Sequence, residues 1–90
     1  MQVAVEYLAQ IKRAAGTARE TAELPAASTL GQLVTTLASR HDATFRDMLV
    51  DGEGKARRML LFFIGEQSVD PSYTLSEGDV VSILAPMAGG

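Results

Sequence analysis

The sequence predicts an α+β domain in two layers, a mixed sheet covered on one face by a main helix. Three observations lead there. Residues 2–7 and 79–85 alternate side chains with the period of two that marks a strand with unlike faces. Leu30, Leu33, Val34, Leu37, Ala38 and His41 recur at helical spacing and form one apolar stripe. Residues 59–64 are apolar without interruption, too short for a core helix and of the right length for a buried strand.

In chain order, the first strand puts Val3, Val5 and Tyr7 on one face and Gln2, Ala4 and Glu6 on the other. Residues 8–15 are helix formers ending at Gly16, which can adopt the positive φ that stops a short helix. A second strand, hairpin-like with the first, is expected over residues 17–24, where Pro25 biases Leu24 towards extended backbone. The main helix opens on Thr29-Leu30-Gly31-Gln32, a capping box, and its stripe places Arg40 and His41 in the last turn. Phe45, Met48 and Leu49 add a short helical turn before the polar loop Asp51-Gly52-Glu53-Gly54-Lys55. Residues 59–64 are then expected as the central strand, Gly65 to Asp70 as a turn and short edge segment, Leu75 as a buried plug, and residues 79–85 as the last strand. Residues 1–90 read as a single domain with residues 86–90 as a flexible tail, without repeats or linkers.

The 90 residues bound the chemistry, because a chain this short buries only about 60–65% of its unfolded surface and has little to spare for an enclosed active site. There is no Cys and only one His, which excludes a thiolate nucleophile, a side-chain persulfide and a multi-His or Cys metal centre. A net charge of −3 argues against a nucleic-acid module, and no apolar run approaches the length of a membrane span. With no readable signal peptide, a cytoplasmic location and a protein partner are expected.

Residues 86–90, Pro86-Met87-Ala88-Gly89-Gly90, are the most informative segment. Gly-Gly at a given pair of positions arises by chance in about 0.5% of sequences. Glycine has no Cβ, so such an end is slim. Five residues reach about 17 Å when extended, and the fixed φ of Pro86 would launch them away from the sheet. The last strand separates Val81, Ile83 and Ala85 from Val80, Ser82 and Leu84, and Ser82 marks the second set as the solvent side. Leu84, Pro86 and Met87 would then form an apolar docking patch beside the tail, to which Phe62 or Phe63 could add.

The run Leu75-Ser76-Glu77-Gly78-Asp79-Val80-Val81-Ser82-Ile83-Leu84-Ala85-Pro86-Met87-Ala88-Gly89-Gly90 resembles the C-terminal signature of the MoaD/ThiS ubiquitin-like sulfur carriers. Residues 3–16, with Leu8-Ala9-Gln10-Ile11-Lys12 and Gly16, are similar to the opening of the small subunit of molybdopterin synthase. The resemblance implies a β-grasp fold and a non-catalytic carrier. A ubiquitin-activating-like adenylyltransferase would use ATP to join the Gly90 carboxylate to AMP. Sulfur would displace the AMP, leaving a thiocarboxylate on Gly89-Gly90 for a sulfur-accepting partner such as the molybdopterin synthase large subunit. No bound cofactor is implied, and no nucleic acid or membrane partner. The resemblance also marks Lys12 as a basic residue that contacts the partner.

Other destinations stay open, namely cysteine, thiamine or tRNA thiolation, as does a ubiquitin-like modifier joined to lysines through Gly90. The segment from Val50 to Arg58 is longer than in the compact molybdopterin synthase subunits, which loosens the choice of pathway. Family members often have asparagine in the turn where this chain has Gly65, and both residues tolerate left-handed backbone. His41 is expected only to complement a helix dipole. Asp42, Asp47, Asp51 and Glu53 read as a solvated acidic side without metal-ligand spacing.

Overall fold

The computed structural model describes residues 1–86. Five strands and three helices follow in the order β1 (Gln2–Tyr7), α1 (Ala9–Ala15), β2 (Arg19–Glu23), α2 (Leu30–Ala38), α3 (Ala43–Leu49), β3 (Leu61–Ile64), β4 (Gln67–Val69) and β5 (Val80–Leu84). The strands form one mixed sheet in the order β2-β1-β5-β3-β4. β1 runs parallel to β5, and the other neighbours are antiparallel. This is the β-grasp arrangement of an α+β domain.

Period-two patterning decides which face of the sheet is covered. Val3, Val5 and Tyr7 of β1 are buried, as are Val81 and Ile83 of β5, Ala22 of β2 and Phe62 of β3. Against them pack Ile11 of α1, Leu30, Leu33, Val34, Leu37 and Ala38 of α2, and Phe45 and Leu49 of α3. Leu75 closes the core as the expected plug, 3% exposed, its N–H bonded to the Ser28 carbonyl. The helical layer is thus shared among three helices, with α2 supplying the widest apolar stripe.

The local signals that start and stop elements are also present. Thr29 and Gln32 complete the capping box of α2, each accepting a hydrogen bond from the other's backbone N–H. Gly16 ends α1 with φ of 75°, and Gly65 turns β3 into β4 with φ of 62°. At both glycines a side chain would be forced into left-handed backbone.

Three sequence expectations need correction. The main helix ends at Ala38, with Ser39 as its C-cap, so Arg40 and His41 lie beyond the last turn. The Ser39 hydroxyl donates to the Thr36 carbonyl, and the side chain of Arg40 is drawn to the Thr21 carbonyl of β2. These bonds compete with a further helical turn. Second, the strand expected over residues 59–64 starts only at Leu61, because the Leu60 N–H turns back onto the Arg57 carbonyl. Third, that strand is not central: β5 holds the middle, between β1 and β3, while β3 carries the short edge strand β4. A continuous apolar run reports burial without reporting strand order.

Candidate functional site

The chain leaves the sheet from its most constrained strand. β5 is bonded along both sides, and the Leu8 N–H extends the β1 pairing by donating to the Ile83 carbonyl at 3.1 Å. Ala85 is still buried and Pro86 is exposed. Proline has no N–H to offer a neighbouring strand, so it ends the ladder there. Around this point α1, α3 and the approach to β3 enclose a shallow cleft of about 310 Å³ lined by Gln10, Asp47, Met48, Arg57, Met59, Ala85 and Pro86. The expectations placed on Met87, Gly89 and Gly90 lie outside the described residues.

The uncovered face of the sheet is apolar next to the same point. Leu84 is half-buried and stands opposite Leu61 in the β3–β5 register, as Ser82 stands opposite Phe63. Directly paired residues on one face lie within side-chain reach. Leu61 is 40% exposed, Met59 46% and Leu8 39%, the three large apolar residues most open to solvent among the described ones. Phe62 is 2% exposed in the core, so Phe63 is the aromatic on the open face. Sequence reasoning passed over Leu8 and Leu61, although both follow from parity: Leu8 continues the outward series of Ala4 and Glu6, and Leu61 shares its face with Phe63.

Lys12 is exposed on α1 and lines a different cleft, with Ala9, Arg13, Gly16, Thr17 and Ala18. The α1 residue in the cleft at Pro86 is Gln10. The two clefts lie on either side of the same short helix, which caps the end of the sheet where β1 and β5 finish.

A second polar cluster was missed. Glu20, on the covered side of β2, accepts from the Tyr7 hydroxyl at 2.5 Å and lies 2.7 Å from His41 Nε2 through the same oxygen. Its other oxygen accepts from Arg40 at 3.0 Å. His41 therefore ties the segment between α2 and α3 to β2, correcting the helix-dipole expectation. Phe45 closes the cluster with its ring 5.4 Å from Tyr7 in edge geometry and 4.3 Å from His41. Burial, and then the bond to Glu20, push the Tyr7 hydroxyl's pKa far above its ordinary value. Burial would raise the Glu20 carboxyl, but the bonds from Tyr7, His41 and Arg40 outweigh it and hold the pKa below the usual range. The only readable signal was the polar Glu20 on the inward parity of Ala22 and Leu24.

Two of the carboxylates expected as a solvated side have structural tasks. Asp42 caps α3 by accepting from the Phe45 N–H at 3.0 Å. Asp51 accepts from the backbone of Glu53 and Lys55 and closes the loop between α3 and β3. Among the described residues no three His, Cys, Asp or Glu side chains gather at one point, and no helix is long and apolar enough to cross a membrane.

The assembled site is a strand paired along both sides, a proline, an apolar flank and a shallow cleft. Such an arrangement can offer a docking face to another protein. Comparisons with known proteins fit that geometry. The model described as the ThiS family matches residues 5–90. No curated protein matches the sequence. Among solved structures, the small archaeal modifier SAMP1 of Haloferax volcanii superposes with a TM-score of 0.88 at 14% identity, each chain covered fully. A protein described as molybdopterin converting factor subunit 1, from Pyrococcus furiosus, gives 0.75 at 26% identity, covering 96% of this chain and 98% of that one. The structure of a BexX/CysO complex from Amycolatopsis orientalis gives 0.69 at 24%, covering 98% and 99%.

Proposed function

We propose, for a chain that belongs to the ThiS family, that its Gly90 carboxyl carries sulfur as a thiocarboxylate. The observation that carries this reading is Pro86 at the exposed end of the central strand, three residues before the doublet Gly89-Gly90. An ionised carboxylate, with a reference pKa of about 3.3–3.7, is a poor electrophile. An adenylyltransferase of the ubiquitin-activating kind would therefore join it to AMP from ATP, releasing pyrophosphate. Hydrosulfide, or a donor equivalent to it, then attacks the carbonyl carbon. The C–S bond forms, the bond to the AMP oxygen breaks, and the thiocarboxylate remains. Its sulfur is a soft nucleophile that attacks an acceptor held by a second enzyme.

In this scheme the folded body contributes positioning and no acid, base or nucleophile of its own. Leu84, Pro86 and Met87, with Lys12 at the side, dock the partner; the half-buried Leu84 beside the exposed Leu61 supports that assignment. The destination we favour is molybdopterin synthesis through a synthase large subunit, since the Pyrococcus furiosus protein is 26% identical over nearly the whole chain. Cysteine, thiamine and tRNA thiolation are the other sulfur destinations.

A second reading, conjugation of Gly90 to target lysines, is favoured by the superposition on SAMP1 at a TM-score of 0.88. Intact mass analysis of the chain from its native cells separates the two. Replacement of one terminal oxygen by sulfur is expected. A carboxylate that stays unmodified when an adenylyltransferase, ATP and a sulfur donor are supplied overturns carriage, and Gly-Gly remnants on lysines of other proteins establish conjugation.

A further inference from the structure

The charges of this domain are sorted along its strands. β1 and β5 run together while β2 and β3 run against them, so α1, the start of β2 and the approach to β3 share the pole at which Pro86 lies. At that pole stand Lys12 and Arg13 on α1, Arg57 in the cleft beside Pro86, and Arg58 next to it. None of the four has a carboxylate within 4.0 Å among the described residues. Arg19 at the same pole is paired with Glu6 at 3.8 Å.

Besides Glu6, three carboxylates accompany them. One is Asp51, whose pKa is lowered by the backbone bonds from Lys55 and Glu53 and also by the nearby charge of Arg57. Asp47 meets Arg57 through its backbone carbonyl, and Asp70 accepts hydrogen bonds from the N–H and hydroxyl of Ser72. The opposite pole collects Glu23 at the end of β2, Glu66 in the turn after β3, and Glu77 and Asp79 before β5. Among the described residues of that pole, an ion pair joins the Met1 ammonium to Glu23 at 3.3 Å. A chain of net charge −3 therefore gathers an excess of cations over carboxylates at the pole where Pro86 lies.

Lys12, Arg13 and Arg58 are exposed and Arg57 is half-buried, and surface cations without a carboxylate partner contribute little to folding stability. A separated charge distribution orients a molecule in the field of a partner and raises its productive encounter rate. We infer that the pole carrying Arg13, Arg57 and Arg58 docks on an acidic protein surface, the rim of the site that receives the Gly90 carboxyl. The like-charged far pole is repelled, so the domain arrives tail first. This rests on the carrier or modifier reading above and adds the chemistry of the partner's surface.

The test is ATP–pyrophosphate exchange by the source cell's own adenylyltransferase with the full chain as substrate. Arg13→Glu and Arg58→Glu combined should lower kcat/KM about tenfold or more at about 50 mM salt, mainly through KM, and the deficit should shrink several-fold at about 0.5 M salt. Both side chains are exposed, so the thermal midpoint should hold, and Glu66→Lys at the far pole should leave exchange undiminished. Equal KM for all variants at low salt overturns the inference, as does a deficit that salt does not relieve. Retention of the unaltered chain by a single-stranded RNA oligonucleotide, lost in the double variant, would reassign the pole to nucleic acid. Absence of exchange with the unaltered chain overturns the carrier reading, and this inference with it.

Discussion

Arg40 and Arg57 each fold back on a backbone carbonyl, Thr21 for one and Asp47 for the other, and there the likeness ends. Arg40 also reaches Glu20, whose two oxygens take Tyr7 and His41 as well, beside the ring of Phe45. That corner is closed, with donors, acceptors and rings turned towards one another. Arg57 has no carboxylate partner among the described residues and shares its cleft with Met59, Met48 and Pro86. One corner spends its chemistry on holding β2 to the helices, and the other leaves its chemistry unspent beside Pro86. Substitutions in the first should therefore move stability, and those in the second should move partner chemistry at constant stability.

The largest separation is expected from deleting Gly90. Urea midpoint and thermal midpoint should match the unaltered chain, while adenylation and sulfur loading fall below detection. Sulfur loading of the shortened chain would break the assignment of the carrier atom. Next comes Phe45→Ala in the closed corner. Its ring is fully buried, and removing it should cost about 3–5 kcal/mol in urea unfolding. Where that variant is still folded it should be adenylated normally, since nothing at the tail has changed.

Leu84→Glu is the converse. It puts a charge on the open face opposite Leu61 and should weaken binding to the adenylyltransferase about tenfold, about 1.4 kcal/mol, while the thermal midpoint moves little. Unchanged affinity, measured by titration calorimetry, would remove Leu84 from the docking surface.

The open corner was more legible in the sequence than the closed one. Parity within β5 places Leu84 and Ser82 outward, and Pro86 with the glycine doublet marks the end of the sequence. The helix stripe and the capping box likewise found the body of α2. The end of that helix was not legible, because periodicity carried His41 into the stripe while the competing partner, Glu20, lies 21 positions away on another element. Hydrophobic pattern reports which face is buried; long-range polar pairs such as Tyr7 with Glu20 leave no periodic trace. Strand order escaped for the same reason, since residues 59–64 read as buried whichever neighbours they take.

The smallest effect concerns Glu20 itself, and its sign distinguishes the closed corner from an ordinary surface ion pair. Its folded pKa lies below the ordinary 4.5. Above that value the carboxylate is ionised in both states and its stabilising contribution is complete. As pH falls below it, the unfolded chain takes up a proton that the folded chain still refuses, so stability declines until the folded pKa is passed. Asp51 and Asp70 are also depressed, by backbone N–H bonds from Lys55 and Glu53 and by Ser72 respectively, and they give any variant a residual slope of the same sign. Glu20→Gln keeps the size of the side chain and removes its titration. It should cost about 1 kcal/mol at pH 7. It should also flatten, without abolishing, the fall in urea midpoint below pH 4.5. Since Glu20 is partly shielded from solvent, the difference between the two chains at pH 7 should persist in about 0.5 M salt. A loss at pH 7 that salt erases would place Glu20 with the exposed pairs, and the contrast between the two corners would fail there.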